Sequence, residues 1–236
     1  LHYLEGMDKK DAPALVCCSA RMELHGSPLE RPWVKLGATC QPGDAKVVVN
    51  ENISDWRIGD EIIVTASKKV RNMGTYRDEE VGTEERIVKA IDGHSITLDK
   101  PLSLQHSGEG EFRSEVANLS RNVIVESADP DGVRGHTMYH RDSKGGISYA
   151  RFAHLGKEGE LGRYPIHFHL VGDTMRGSAV LGVAVVDSHN RWVTIHGTQY
   201  LLVRDCVGYK SVGHGYFLEN GSEVFNLLDR NLGVQA

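Results

Sequence analysis

The sequence predicts an all-β chain, with a β-sandwich-like region over residues 1–115 and a parallel β-helix over residues 116–236. Three observations support this prediction: helical periodicity is nearly absent, short β-branched runs occur throughout, and the spacing of these runs changes near Val116. Short apolar runs bounded by turn residues are typical of strands, because side chains alternate across a strand.

The first region has the pattern of an antiparallel sandwich or roll. Turn chemistry around Gly43, Gly59 and Gly93 separates short runs rich in Val and Ile. The strands predicted here are Ala45–Val49, Glu61–Val64, Glu85–Ala90 and Ser95–Leu98.

The second region repeats at an interval typical of a solenoid. Its apolar runs recur without hairpin turns, and similar segments are offset by 27 and 23 residues, from His169 to His196 and from His196 to Glu219. One coil cannot bury its apolar face alone, so stacked coils build the core. Because the pattern continues to Ala236 without a polar cap, we expect further coils beyond it. A start at Leu1, without a signal peptide, suggests a piece of a longer protein.

Composition limits the classes of partner. The chain is 40% hydrophobic and 25% charged, which is sufficient for a sizeable core. A net charge of −5 without a basic run argues against nucleic acid, and no apolar run is long enough for a transmembrane helix, so we expect no membrane contact from this segment. The four cysteines lack zinc-ribbon spacing, and either a bridge to Cys40 or buried free thiols fit them. The oligomeric state is left open.

Three segments of the second region carry His or Glu at matching positions. Laid over one another, residues 164–170, 191–197 and 214–220 place His169, His196 and Glu219 in one column. The neighbouring columns are apolar, with Ile166, Val193 and Tyr216 in one and Phe168, Ile195 and Leu218 in the other. Alternation places the apolar columns on one face of the strands and the His/His/Glu column on the opposite face.

Several motifs resemble those of a known family. They are Met22–Pro28 with Trp33–Leu36, Asp55–Ile62, Leu119–Val123, Gly162–Leu170, Asn190–Gly197 and Gly213–Gly221. Together they resemble the G8-domain proteins with parallel β-helix repeats, which include the cell-migration-inducing hyaluronan-binding protein, the transmembrane hyaluronidase and the fibrocystin-like proteins. The likeness covers roughly residues 20–233. It implies the later part of a G8 domain followed by a right-handed parallel β-helix.

The resemblance also implies a function and a location. It implies an extracellular or cell-surface protein that processes or binds an acidic polysaccharide similar to hyaluronan, as a hydrolase or lyase. The alternative is a non-catalytic carbohydrate-binding or adhesion module of a larger surface protein. The glycine-rich opening of a G8 domain is not visible, and Asn220 stands where relatives often have Asp. These departures fit a bacterial-type member better than an animal one.

The matching column predicts a metal site. His169, His196 and Glu219 are its candidate ligands, with His167 as a fourth. Imidazoles with one carboxylate suit Zn, Ni, Fe or Cu better than Ca, and we expect no organic cofactor. The alternative is a polar ladder whose side chains satisfy one another without an ion.

Metal-free acid–base chemistry on a polysaccharide is the second hypothesis. An elimination needs a base, for which His136 or His196 is a candidate, and a cation to neutralise the uronate, which Arg163 or Arg191 could supply. Hydrolysis would need two flanking carboxylates, and no paired motif identifies them. Tyr164 and Trp192 flank the histidine strands as candidates for stacking on sugar, with core packing as the alternative.

Overall fold

The structure is a computed structural model that describes residues 1–67 and 82–236, and the regular elements in these ranges are strands. In chain order they are β1 (Ala14–Cys18), β2 (Leu24–His25), β3 (Trp33–Lys35), β4 (Lys46–Val48), β5 (Glu61–Val64), β6 (Glu84–Asp92), β7 (Ser95–Leu98), β8 (Glu115–Asn118), β9 (Val123–Glu126), β10 (His136–His140), β11 (Ile147–Ser148), β12 (Ala150–Ala153), β13 (Ile166–Gly172), β14 (Ala179–Leu181), β15 (Ala184–Ser188), β16 (Val193–Thr198), β17 (Leu202–Arg204), β18 (Val207–Ser211), β19 (Tyr216–Leu218), β20 (Leu227–Asp229) and β21 (Leu232–Val234). Within the described ranges there is no helix with the length and apolar character needed to cross a membrane.

The chain forms two compact units. The solenoid unit consists of Leu1–Pro28 and Arg121–Ala236, and the inserted unit consists of Leu29–Ser120. The predicted division at residue 115 differs from this at the N-terminus, where residues 1–28 belong to the solenoid unit. The reason is that β1 pairs in parallel with β10 and β2 pairs with β11, which makes the N-terminal segment part of the first coil.

The solenoid unit is a parallel β-helix with three sheets. The sheet orders are β1-β10-β13-β16-β19, β2-β11-β14-β17-β20 and β9-β12-β15-β18-β21. Each sheet takes one strand from each coil, so every coil contributes three strands. The first coil consists of β1, β2 and β9, and the inserted unit lies between β2 and β9 in the sequence.

The inserted unit is a curled antiparallel sheet, which agrees with the prediction for this part of the sequence. Its six strands follow the order β3-β8-β5-β6-β7-β4, and an isolated bridge joins Leu36 to Val49. The predicted strands Glu61–Val64 and Ser95–Leu98 are present with those bounds.

The interior of the solenoid unit is filled by the inward-facing side chains of successive coils. Ile166, Phe168, Val193 and Ile195 are each at most 2% exposed and belong to one apolar cluster. Burial of such side chains contributes roughly 1.5–3 kcal/mol each. All four cysteines are free thiols, and Cys18 is the exposed one among them.

A buried ionic cluster stabilises the inserted unit. Glu84 accepts hydrogen bonds from His106 Nε2 at 2.9 Å and from the backbone N–H groups of Ser103 and Leu104, and it pairs with Arg86. Burial alone would raise the pKa of Glu84, but the hydrogen bonds outweigh burial and lower this pKa to about 2. The cluster joins β6 to the segment that follows β7.

We predict that Glu84→Ala lowers the free energy of unfolding by about 3 to 5 kcal/mol, because it leaves buried donors without an acceptor. Because the folded pKa lies below the unfolded value of 4.5, the contribution of Glu84 is complete above that value and is lost as pH falls towards 2. Denaturant titrations from neutral pH to about 3 should show the difference between variant and wild type narrowing. The control Glu111→Ala changes an exposed side chain and should shift stability by less than about 0.5 kcal/mol. An equal loss in both variants would contradict the assignment.

Candidate functional site

The candidate site lies on the outer face of the sheet formed by β1, β10, β13, β16 and β19. Strand pairing aligns Ile166 with Val193 and Phe168 with Ile195 on the inner face. The residues between them therefore face outward, because side chains alternate along a strand. The predicted register is confirmed by these pairings.

One outward column carries four potential ligands. His140 pairs with His169, and His169 pairs with His196. Glu219 follows Leu218, the partner of Ile195, and donates its backbone N–H to Ile195 O at 2.9 Å. The predicted column of His169, His196 and Glu219 is therefore present, and His140 extends it by one coil.

An open pocket of about 510 Å³ lies on this face of the sheet. It is lined by histidines from three coils together with Glu219, Arg163 and Asp11, and its apolar lining includes Met138 and Val16. Residues 161–163, which precede β13, form part of the wall. The histidines that line it are His136, His140, His167, His169 and His196.

Three of these side chains come together as potential metal ligands. The ligand atoms of His167, His196 and Glu219 all lie within 4.8 Å of one another. Glu219 Oε2 is 3.9 Å from His167 Nε2 and 3.7 Å from His196 Nδ1. His167, expected as a fourth ligand, thus takes the place in the cluster that was predicted for His169.

His167 is prepared to act as a neutral ligand. Its Nδ1 lies 3.1 Å from the carbonyl oxygen of Gly162, which can only accept, so the proton is on Nδ1 and Nε2 carries a lone pair. Burial lowers the pKa of His167 to about 3, further than the Gly162 hydrogen bond can offset. A carbonyl that fixes the tautomer of a histidine is a frequent feature of metal sites.

Two buried acceptors face each other in this cluster. His167 Nε2 and Glu219 Oε2 have no hydrogen-bond partner among the described residues. Buried polar atoms are nearly always paired, and an unpaired one costs roughly 1–3 kcal/mol. Only a donor or a cation between them can satisfy both, so the residues present fit a metal ion.

Glu219 has two further polar contacts. The Tyr164 hydroxyl donates to Oε1 at 3.4 Å, and Arg191 Nη1 lies 3.4 Å from Oε2. The Arg191 guanidinium packs between the rings of Tyr164 and Phe217, at 4.4 and 3.8 Å from their centroids. This packing fixes a positive charge beside the carboxylate.

His169 lies beside the three-residue cluster and contacts three other histidines, His140, His167 and His196. Its Nδ1 is 2.9 Å from His140 Nδ1, so one of these two nitrogens carries the shared proton. The ring centroid of His169 lies 4.8 Å from that of His196. Burial lowers the pKa of His169, and the neighbouring His196 and His140 lower it further.

The two aromatic candidates for sugar stacking are buried, which contradicts that role. Tyr164 is 0% exposed and Trp192 is 1% exposed. The Trp192 indole donates to Lys210 O at 3.0 Å, and its ring covers Gly208 and Gly215, where a Cβ would lie 2.2 and 2.5 Å from ring atoms. Trp192 is therefore a core residue, and Tyr164 orients Glu219.

The remaining predicted residues lie at the other end of the pocket. His136 and Arg163 both line it, and Arg163 pairs with Asp11. His136 is 2% exposed, so it is a buried residue of β10. Burial, followed by the charges of Arg163 and Lys157, lowers its pKa to about 4.

Sequence reasoning did not place His140 in the column, and it missed two further contributors to the site. His140 could have been found, because it precedes His169 by 29 residues, close to the coil spacing. The carbonyl of Gly162 and the side chain of Asp11 carry no such signal, since both lie outside the repeating strands.

The sequence of this chain is similar to a described protein family and to several known proteins. Residues 132–236 match the family described as CEMIP beta-helix. A G8 domain-containing protein of Dictyostelium discoideum is 31% identical over 90% of this chain, and fibrocystin-L of Mus musculus is also 31% identical over 90%. The chain spans 14% and 6% of these two relatives.

Solved structures show a weaker likeness. A tailspike of Pseudomonas phage phi297 aligns with 96% of this chain and 37% of its own, at 11% identity and a TM-score of 0.32. The tailspike of Acinetobacter baumannii bacteriophage AP22, solved with a capsular saccharide, aligns with 88% of this chain and 52% of its own, at 7% identity and a TM-score of 0.31. Similarity this low carries no inference about function.

The fold defines a parallel β-helix protein with a β-rich unit inserted in its first coil. The CEMIP beta-helix match and the G8 domain-containing and fibrocystin-L relatives support the G8/β-helix family that the sequence motifs predicted. No comparison distinguishes a bacterial-type member, so that point stays a prediction.

We predict that Gly208→Ala lowers the free energy of unfolding by about 2 kcal/mol, because its Cβ would overlap the Trp192 ring. The same substitution in a Trp192→Leu background should cost less, since the overlapping ring is absent. Denaturant titration of the two single variants and the double variant measures this coupling. An identical cost of Gly208→Ala in both backgrounds would show that the ring is not the cause.

Proposed function

We propose that this chain is a polysaccharide-processing module of a longer extracellular or cell-surface protein, with a divalent transition metal held by His167, His196 and Glu219. The observation that carries the proposal is the pair of buried acceptors without a hydrogen-bond partner among the described residues, His167 Nε2 and Glu219 Oε2. The family resemblance supports an acidic polysaccharide similar to hyaluronan as the substrate class.

The donor set favours particular metals. Two imidazoles and one carboxylate suit Zn, Ni, Fe or Cu, whereas Ca takes six or more oxygen ligands. Ligands of a tetrahedral ion lie roughly 3.4 Å apart, so the observed separations of 3.9 and 3.7 Å need a small closure. A bound ion would supply a Lewis acid able to polarise a sugar oxygen or activate water.

The surrounding residues have separate tasks in this proposal. Tyr164 and Arg191 hold Glu219 in one orientation, with Oε2 turned towards the two histidines. His196 is 21% exposed and lines the pocket, so it is open to the ligand. Glu219 and Asp11 are carboxylates of the pocket lining, and Asp11 is exposed and paired with Arg163. This arrangement supports elimination over a hydrolysis that uses two buried carboxylates.

One observation favours a second candidate, a binding module without catalysis. Arg191 already lies 3.4 Å from Glu219 Oε2 and offsets its charge without an ion. In that case the His/Glu column would be a polar ladder beneath a saccharide-binding surface.

Metal content tests the first part of the proposal. After reloading with Zn or Ni, the wild-type chain should hold about one ion per chain by elemental analysis, and the ion should raise the unfolding temperature. His167→Ala and Glu219→Gln should weaken binding at least about a hundredfold, because each removes a ligand. His25→Ala, an exposed residue of β2, serves as the control and should bind as the wild type does. If the wild type binds no stoichiometric ion, the metal site does not exist.

Polysaccharide digestion tests the second part. Incubation with hyaluronan and other acidic polysaccharides should shorten them, and His196→Ala should slow this about a hundredfold or more. Ultraviolet absorbance of unsaturated uronates would identify elimination, and new reducing ends without that absorbance would identify hydrolysis. A neutral polysaccharide is the control. Binding without shortening, unchanged in His196→Ala, would support the binding module instead.

A further inference from the structure

His136 is a buried polar residue of the pocket that belongs neither to the metal cluster nor to the apolar core. It lies on β10 at the end of the pocket away from Glu219, and it is 2% exposed. Its Nδ1 is buried and has no hydrogen-bond partner among the described residues. An unpaired nitrogen in this position is costly unless a ligand or water occupies the space beside it.

The charges around His136 favour an anion. Arg163 lines the same end of the pocket, and the positive charges of Arg163 and Lys157 both act on His136. Asp11 opposes them, but its side chain is 62% exposed and it pairs with Arg163 Nη2. Arg163 Nε contacts Lys10 O at 3.3 Å, which leaves Nη1 as the donor of the guanidinium without a partner in the described structure.

We propose that His136 and Arg163 form a carboxylate-binding subsite, separate from the Glu219 cluster, which selects ligands that carry a uronate. The inference relies on the proposed function for the saccharide nature of the ligand, and it requires neither the metal nor catalysis. His136 thus recognises substrate and does not act as the base.

The chemistry of the two donors fits a carboxylate. A neutral imidazole offers one N–H, and burial keeps His136 neutral, since it lowers the pKa to about 4. A guanidinium supplies the positive charge and a planar geometry that matches two carboxylate oxygens. One donor from each residue would hold both oxygens of a planar carboxylate.

The subsite is separated from Glu219, although His167 of the metal cluster lies on β13, which is the neighbour of β10. Strands β10 and β19 are three strand spacings apart in the sheet, or roughly 14 Å. Met138 follows His136 by two residues on β10 and pairs with Val16 of β1, so the lining next to His136 is apolar. A ligand that reaches both ends must therefore extend beyond one sugar ring, with its carboxylate at the His136 end.

Paired small probes test the subsite. D-glucuronate and D-glucuronamide share one ring and differ in charge, and their binding to the full chain can be followed by NMR titration. The wild type should bind glucuronate at least about tenfold more tightly than the amide, the value of one charge-assisted hydrogen bond. Arg163→Gln and His136→Phe should each remove most of this preference. Arg204→Gln, which changes an ion-paired arginine of β17 that does not line the pocket, is the matched control and should keep it.

A further variant and a competing anion test whether the preference for glucuronate comes from the proposed subsite. If His136→Phe does not fold, Arg163→Lys still tests the subsite, because it keeps the charge, removes the planar fork and should reduce the preference. Equal binding of the two probes by the wild type, or a preference unchanged in Arg163→Gln, would overturn the proposal. Inorganic sulfate competing as strongly as glucuronate would also overturn it, by showing a general anion site.

The same titration after chelation separates this proposal from the proposed function. A preference that depends on Arg163 and survives chelation supports the subsite, even if no metal or depolymerisation is found. If chelation removes the preference and Arg163→Gln does not, the carboxylate of the ligand binds the metal ion. That result would reject the subsite and leave the proposed function standing.

Discussion

In-register stacking of parallel strands is the constraint on which the solenoid unit and its pocket both depend. The inner columns, such as Phe168 over Ile195, fix the register, because a slip by one residue would expose them and bury polar side chains. The same register brings His140, His169 and His196 over one another on the outer face. The core and the site are therefore specified by one set of pairings.

Stacking like residues at strand spacing has an electrostatic consequence. Protonated imidazoles on adjacent strands would repel each other, so burial and mutual repulsion lower the pKa values of His167 and His169. Neutral imidazoles are acceptors as well as donors, and His167 directs its lone pair towards Glu219. The pocket floor therefore offers lone pairs, and the charges beside it belong to two ion pairs, Arg163 with Asp11 and Arg191 with Glu219.

The sequence was sufficient to predict whatever repeats from coil to coil. The strand register, the apolar columns and the alignment of His169, His196 and Glu219 follow from spacing alone. Features outside the repeat were not predictable in this way. The Gly162 carbonyl orients His167 so that its Nε2 faces Glu219, and the burial of Tyr164 makes it a partner of Glu219 instead of a surface for sugar stacking. Residues 1–28 were assigned to the wrong region because their partners in β10 and β11 lie more than a hundred residues away.

The charges of the pocket link metal binding to ligand choice. The chain has a net charge of −5, which disfavours the approach of a polyanion. In the site, Asp11 is offset by Arg163 and Glu219 by Arg191, which leaves the lining close to neutral. Arg191 is clamped between two rings, so an ion at His167 and His196 would add its charge without displacing the arginine. A divalent ion would then make the pocket positive, and the arginine at its far end would determine where the first carboxylate binds.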